Sequence, residues 1–141
     1  MNILFICKSN ISRSQCAEEF FNQKSKKHRA ISAGISPIKE GQEIIQNIPE
    51  TKNAREDAER YGLHIGNKIR KQITENLLSE VDQVYVLLDQ KEVPEDIKNN
   101  PKVIMHPFKN KRNLPKEDRD QVISDIKKFA EDLAKSLDES H

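Results

Sequence analysis

Eight residues, Cys7-Lys8-Ser9-Asn10-Ile11-Ser12-Arg13-Ser14, constrain the fold of this 141-residue chain more than any other segment. They follow at once on the apolar run Ile3-Leu4-Phe5-Ile6 and lead into the helix-like stretch Gln15-Cys16-Ala17-Glu18-Glu19-Phe20-Phe21. A cysteine at the end of a buried strand, then a short loop, then Arg-Ser at the start of a helix forms a seat for a tetrahedral oxyanion. The helix N-terminus contributes a partial positive charge, and the arginine contributes a planar fork of donors.

Each position has a physical reason. A free cysteine has a pKa of about 8.5, and only its thiolate is an effective nucleophile. Inward N–H groups of Lys8, Ser9, Asn10, Ile11, Ser12, Arg13 and Ser14 would stabilise that charge, and would equally hold the oxygens of a phosphate. Arg13 follows Cys7 closely enough for a loop that doubles back to set its guanidinium opposite the sulfur. Ser14 offers the sulfur a hydroxyl. Asn10 belongs to the few residue types that tolerate φ > 0, which a cup-shaped loop requires somewhere. A Cys-x5-Arg spacing alone arises by chance. Here strand, loop, Arg-Ser and helix come in the order the chemistry needs.

The rest of the chain alternates strands and helices. Strands are expected at 2–6, 29–33, 84–88 and 103–105, and helices at 14–24, 54–61, 74–80 and 116–137. A loop with a short helical piece at 43–46 is expected between Gly34 and Asn53. Thr74 is placed as an N-cap, with Ile73 against Leu78 as a hydrophobic staple. Val122, Ile126, Phe129, Ala130, Leu133 and Leu137 recur at helical spacing and form one face of the last helix. Alternation of this kind implies a parallel sheet with helices on both faces, with ligands beyond the C-terminal ends of the strands. Cys7 and His106 both follow strands and therefore face one crevice.

Composition narrows the function classes. The length suits one domain over residues 1–141. A net charge of +1 argues against a general nucleic-acid binder. No apolar stretch is long enough to span a membrane, and the chain opens on a strand-like run rather than a secretory signal. Two cysteines fit a reducing cytoplasm better than a disulfide framework. Cys16 is read as a packed helix residue. His28, His64, His106 and His141 are scattered, so no metal site is expected, and no cofactor either. The cluster from Lys24 to Arg29 is read as a solvated helix end. Arg70, Lys71, Lys109, Lys111 and Arg112 are read as ordinary solvated charge in preference to a crevice rim.

At this point the chain resembles the low-molecular-weight protein tyrosine phosphatase family, which includes related arsenate reductases. The family loop reads Cys-x-Gly-Asn-x-Cys-Arg-Ser, and Cys7, Asn10, Arg13 and Ser14 match it. Ser32-Ala33-Gly34-Ile35 resembles the family's Ser-Ala-Gly-Thr. Tyr61-Gly62-Leu63-His64-Ile65 and Ile69-Arg70-Lys71-Gln72-Ile73-Thr74 resemble two later family segments. The resemblance implies an α/β three-layer sandwich around a four-stranded parallel sheet of order 2-1-3-4. It also implies phosphomonoester hydrolysis, with phosphorylated protein or a small aryl phosphate as substrate. Cys7 would be the nucleophile, and the loop amides and Arg13 the phosphate holder. Inorganic phosphate or another oxyanion would be product or inhibitor.

Three departures from the family pattern stand out. Ser9 replaces the loop glycine, Ser12 replaces the second loop cysteine, and His106-Pro107 stands where the family has the Asp-Pro that supplies its general acid. His106 is the leading candidate for the acid, because an imidazole with pKa of about 6.5 titrates near working pH. Asp118, Asp120 and Asp89 are the alternatives. Two other functions stay open. Arsenate reduction with an external thiol is one, since 81–93 lacks the cysteines of a thioredoxin-coupled relay. The other is non-catalytic oxyanion binding.

Overall fold

The computed structural model describes residues 1–140; His141, the last of the four scattered histidines, lies outside them. Eleven strands and α-helices follow one another as β1 (Asn2–Cys7), α1 (Arg13–Lys24), β2 (Arg29–Gly34), β3 (Gln42–Ile44), α2 (Lys52–Glu59), β4 (Ile69–Lys71), α3 (Glu75–Glu80), β5 (Gln83–Val86), α4 (Glu95–Lys98), β6 (Val103–Met105) and α5 (Lys116–Ser140). Four of the strands form one sheet in the order β2-β1-β5-β6. All of its pairings are parallel, with Ile3 opposite Ala30 and Gln83, and Val84 opposite Val103. Counting only these strands, the order is the expected 2-1-3-4.

Strand alternation explains the layers. Side chains along a strand point to opposite faces. Ile3 and Phe5 of β1 join Tyr85 and Leu87 in a core covered by α1, α2 and α5. Leu4 and Ile6 join Val84, Val86 and Leu88 in a second core covered by α3 and α4. Both faces of β1 are therefore apolar, which is why its sequence is a continuous hydrophobic run. On the first face, Phe5 meets Phe21 edge-on at 6.0 Å and Phe129 at 6.1 Å. Helix α5 buries Val122, Ile126, Ala130 and Leu137 as its spacing predicts, with Ile123 and Ala134 beside them.

The differences from the sequence expectation are local. Residues 42–44 pair antiparallel with 69–71, and the short helical piece expected at 43–46 is found as a single 3-10 turn at Ile45–Asn47. That segment is short and lacks a helical apolar period, so pairing partners decide its conformation. Thr74 caps α3 as expected, its side chain accepting from Leu77 N at 3.1 Å. His28, expected in a solvated helix end, is buried, with Nε2 3.2 Å from the Leu137 carbonyl. The cause is Asp138 at the far end of α5, which accepts from Ser25 Oγ and Lys26 N and draws the α1–β2 turn onto that helix. Among the described residues, no helix is long and apolar enough to cross a membrane.

Candidate active site

The loop between β1 and α1 is held by a buried asparagine. Asn10 is fully buried and sits at φ 55°, the left-handed region that most side chains avoid. Its Oδ1 accepts from Lys71 N at 2.9 Å and Gln15 Nε2 at 3.1 Å. A backbone N–H can only donate, so this fixes which end of the amide is oxygen. Nδ2 then donates to Ser14 Oγ at 2.7 Å and to Ser32 Oγ at 2.9 Å. Ser32 Oγ in turn donates to Glu18 Oε1 at 2.9 Å.

This wiring positions the contact that matters chemically. Ser14 Oγ lies 2.9 Å from Cys7 Sγ. Because Ser14 already accepts from Asn10, its single hydroxyl proton is free to point at the sulfur. A hydroxyl donor at that distance can hydrogen-bond the sulfur as it departs as a leaving group. Lys68 binds Glu18 and Glu19 and neutralises the outer end of the chain of bonds.

The cup has further supports. Gly34 at the end of β2 presses against the loop from behind. A Cβ there would lie 2.9 Å from Lys8 O, Ser9 C and Asn10 N, all backbone atoms. Ile35 N and Ser36 N donate to Cys7 O and Lys8 O at 3.1 and 2.9 Å. Helix α1 begins with no side-chain cap from Ser12 and no acidic residue in its first turn, so its first amides are left for a bound anion. Arg13 is buried, and its Nη1 donates to the carbonyls of Phe108 at 2.9 Å and Leu87 at 3.4 Å. The arginine is thus tied to the loop after β6 while it lines the same cavity as Cys7.

That cavity, of about 640 Å³, opens from the cup toward α2 and the 110–114 loop. Cys7, Lys8, Ser9, Ile11, Ser12 and Arg13 form its floor. Asn10 and Ser14 do not line it; they hold it from beneath. His106 does not line it either. Its exposed ring stacks on Phe129 at 4.1 Å and on Phe108 at 5.0 Å. Asp89 caps a short turn at Lys91 N, and Asp120 binds Arg60 at 2.5 Å. Asp118 and Asp89 are exposed and outside the lining, so none of the four expected acids borders the cavity.

An ion cluster forms the opposite wall instead. Asp57 of α2 is 1% exposed and binds Arg60 at 2.5 Å, Arg119 at 2.9 Å and Lys111 at 3.4 Å. Burial works to raise its carboxyl, but hydrogen bonds from Arg119 and Arg60 and the charge of Lys111 outweigh that and hold it below the ordinary range. Lys111, expected to be solvated, is 6% exposed. Burial pushes its ammonium below the usual lysine range, more than Asp57 restores. Cys16 lies in the same interior, and burial pushes its thiol up to about 11. It is a neutral packed residue, as the helix pattern suggests. The Asp57 cluster has no local signature, because its members meet across 54 and 62 positions of chain.

Comparisons place this arrangement among known proteins. The profile of the low molecular weight phosphotyrosine protein phosphatase family matches residues 2–141. No curated protein is a match at the level of sequence. Among solved structures, the chain is similar to a low molecular weight protein tyrosine phosphatase from T. tengcongensis (24% identity, TM-score 0.75, 96% of this chain and 99% of that one). It is also similar to the YwlE arginine phosphatase from Geobacillus stearothermophilus (15% identity, TM-score 0.78, 99% and 94%). A third is an arsenate reductase from Archaeoglobus fulgidus (21% identity, TM-score 0.68, 94% and 98%). At these identities the likeness is one of fold.

Two outcomes follow from the supports. Gly34→Ala forces a methyl group into loop backbone, so it is expected to cost about 1–3 kcal/mol and to weaken phosphate binding, as read by urea unfolding and calorimetric titration. Asp57→Asn leaves three cations without their buried anion and is expected to cost about 3–5 kcal/mol near neutral pH. With a lowered folded pKa, the Asp57 contribution is fully present above the free carboxylate value of about 3.9 and is lost as pH falls through the folded value. The gap between the parent and Asp57→Asn urea midpoints should therefore narrow in acid below about pH 4.

Proposed function

The chain belongs to the low molecular weight phosphotyrosine protein phosphatase family, and from that footing we propose that residues 1–141 act as one catalytic domain hydrolysing phosphomonoesters through a phosphocysteine at Cys7. The observation that carries the reading is the Ser14 hydroxyl set 2.9 Å from the Cys7 sulfur, inside a loop fixed by Asn10 and bordered by Arg13.

In the first step Cys7 Sγ attacks phosphorus in line, and the P–O bond to the leaving group breaks. The α1 amides and Arg13 hold the equatorial oxygens, which supplies positioning and charge stabilisation. In the second step water attacks phosphorus, the S–P bond breaks, and inorganic phosphate leaves. Ser14 stabilises the departing thiolate. Lys8, Ser9, Ile11 and Ser12 complete the phosphate seat, and Asn10 holds it from beneath.

Phosphotyrosine on a protein is the finer reading that the family offers. The cavity lining contributes little to it, since none of its residues is aromatic. Arsenate reduction remains the second reading, on the neighbour of that name. It would need an outside thiol, because Cys16 is a buried, high-pKa thiol.

The test is hydrolysis of p-nitrophenyl phosphate across pH. Turnover is expected in the parent chain and is expected to fall to background in Cys7→Ser. A His106→Ala variant is expected to retain the shape of the pH profile, because the ring stacks away from the cavity. An acidic limb lost or moved in that variant would return His106 to the role of acid. Turnover that persists in Cys7→Ser would overturn the covalent mechanism.

A further inference from the structure

The wall facing the cup carries an unbalanced positive charge. In-line attack from Cys7 puts the leaving group on the side opposite the sulfur, in the cavity bounded by α2 and the 110–114 loop. That cavity is lined by six cationic side chains and two carboxylates. One carboxylate, Asp57, is already satisfied by Arg119 and Arg60 at 2.9 and 2.5 Å. The other, Glu50, is exposed.

Lys111 is the group left over. It is buried, and the one hydrogen bond of its ammonium among the described residues is a long 3.4 Å contact to that same Asp57. Counting the whole cluster, Arg60, Lys111 and Arg119 face Asp57 and Asp120, which leaves one cation in excess. Cys16 supplies no anion there, being a neutral thiol. Buried charge is costly without a partner. Arg112 stands exposed at the rim, while Arg70 and Lys8 of the same lining are paired with Glu43 at 3.9 Å and Glu92 at 3.4 Å. Asp57, paired with Arg60, Arg119 and Lys111, is held as an anion and is no proton donor, which leaves the solvent-exposed Glu50 as the one other carboxylate in the lining.

We infer that the leaving-group side of this site is an oxyanion subsite built on Lys111 and Arg112, and that the favoured substrate is a phosphoanhydride, a phosphate joined to a second oxyanion. The inference rests on the phosphocysteine reading above. The Sγ–P bond forms and the bridging P–O bond breaks. The electron pair goes to the leaving oxygen, which departs as a charged phosphate and needs no proton from the protein. Lys111 and Arg112 hold that charge as it develops. Water then cleaves the S–P bond, releasing the second phosphate and a proton to solvent. A phenol, with a pKa of about 10, is a poor leaving group at such a wall.

The experiment compares kcat/KM for inorganic pyrophosphate, phenyl phosphate and p-nitrophenyl phosphate, in the parent, Lys111→Met and Arg112→Ser. With Asp57 held as an anion, phenyl phosphate is expected to fall at least about a hundredfold below pyrophosphate. Each variant is expected to lower the pyrophosphate to p-nitrophenyl phosphate ratio by roughly tenfold or more. Arg112 is exposed, so its variant keeps the test valid if Lys111→Met does not fold. Phenyl phosphate turned over as fast as pyrophosphate, or variants that lower all three substrates alike, would overturn the inference. Cys7-dependent hydrolysis of p-nitrophenyl phosphate with none of pyrophosphate would sink this inference alone. No turnover of any of the three by folded protein would sink the phosphatase reading with it.

Discussion

One buried side chain organises the site. Asn10 is the residue at which the loop reverses, and its amide makes four hydrogen bonds to other residues, reaching α1, β2 and β4. It relieves the backbone at φ 55°, anchors the segment around Lys71, and positions the Ser14 hydroxyl. Hydrogen-bonded networks of this kind rigidify what they hold. Here the chain runs from Cys7 through Ser14, Asn10, Ser32 and Glu18 to Lys68, ending on a cation. The sulfur thus sits at the inner end of a fixed dipole chain, and nothing about its hydrogen-bonding needs to reorganise when phosphate arrives.

The fold supplies the precision this requires. Strand β1 is central, with parallel partners on both sides and apolar cover on both faces. Cys7 is its last residue. The neighbouring strand ends at Gly34, whose missing side chain lets the loop lie directly on β2. Arg13 reaches across to carbonyls beyond β5 and β6, so one side chain joins the cup to the far side of the crevice. Catalytic geometry is therefore held by strand ends and a helix start, not by a free loop.

What the sequence made legible follows the range of the interactions. The parallel sheet, the α5 stripe and the Thr74 cap are local in period or spacing, and each is found. Cys7, Asn10, Arg13 and Ser14 were legible because one short segment holds them all. Two things were hidden. The Asp57–Lys111–Arg119 cluster joins α2 to the last loop and helix, and each member alone reads as surface charge. His106 occupies the position beside Pro107 where an acid is expected, but an imidazole is flat and apolar enough to stack on Phe129. The aromatic face of α5 claims the ring, so position in the chain did not predict direction in space.

The most direct measurement is rapid-quench intact-mass spectrometry of the enzyme during turnover of p-nitrophenyl phosphate, followed by peptide mapping of any adduct. The account predicts one transient phosphoryl group, on Cys7, that decays at a rate no slower than kcat. Turnover with no protein-bound phosphoryl group, or with one on any other residue, would contradict it.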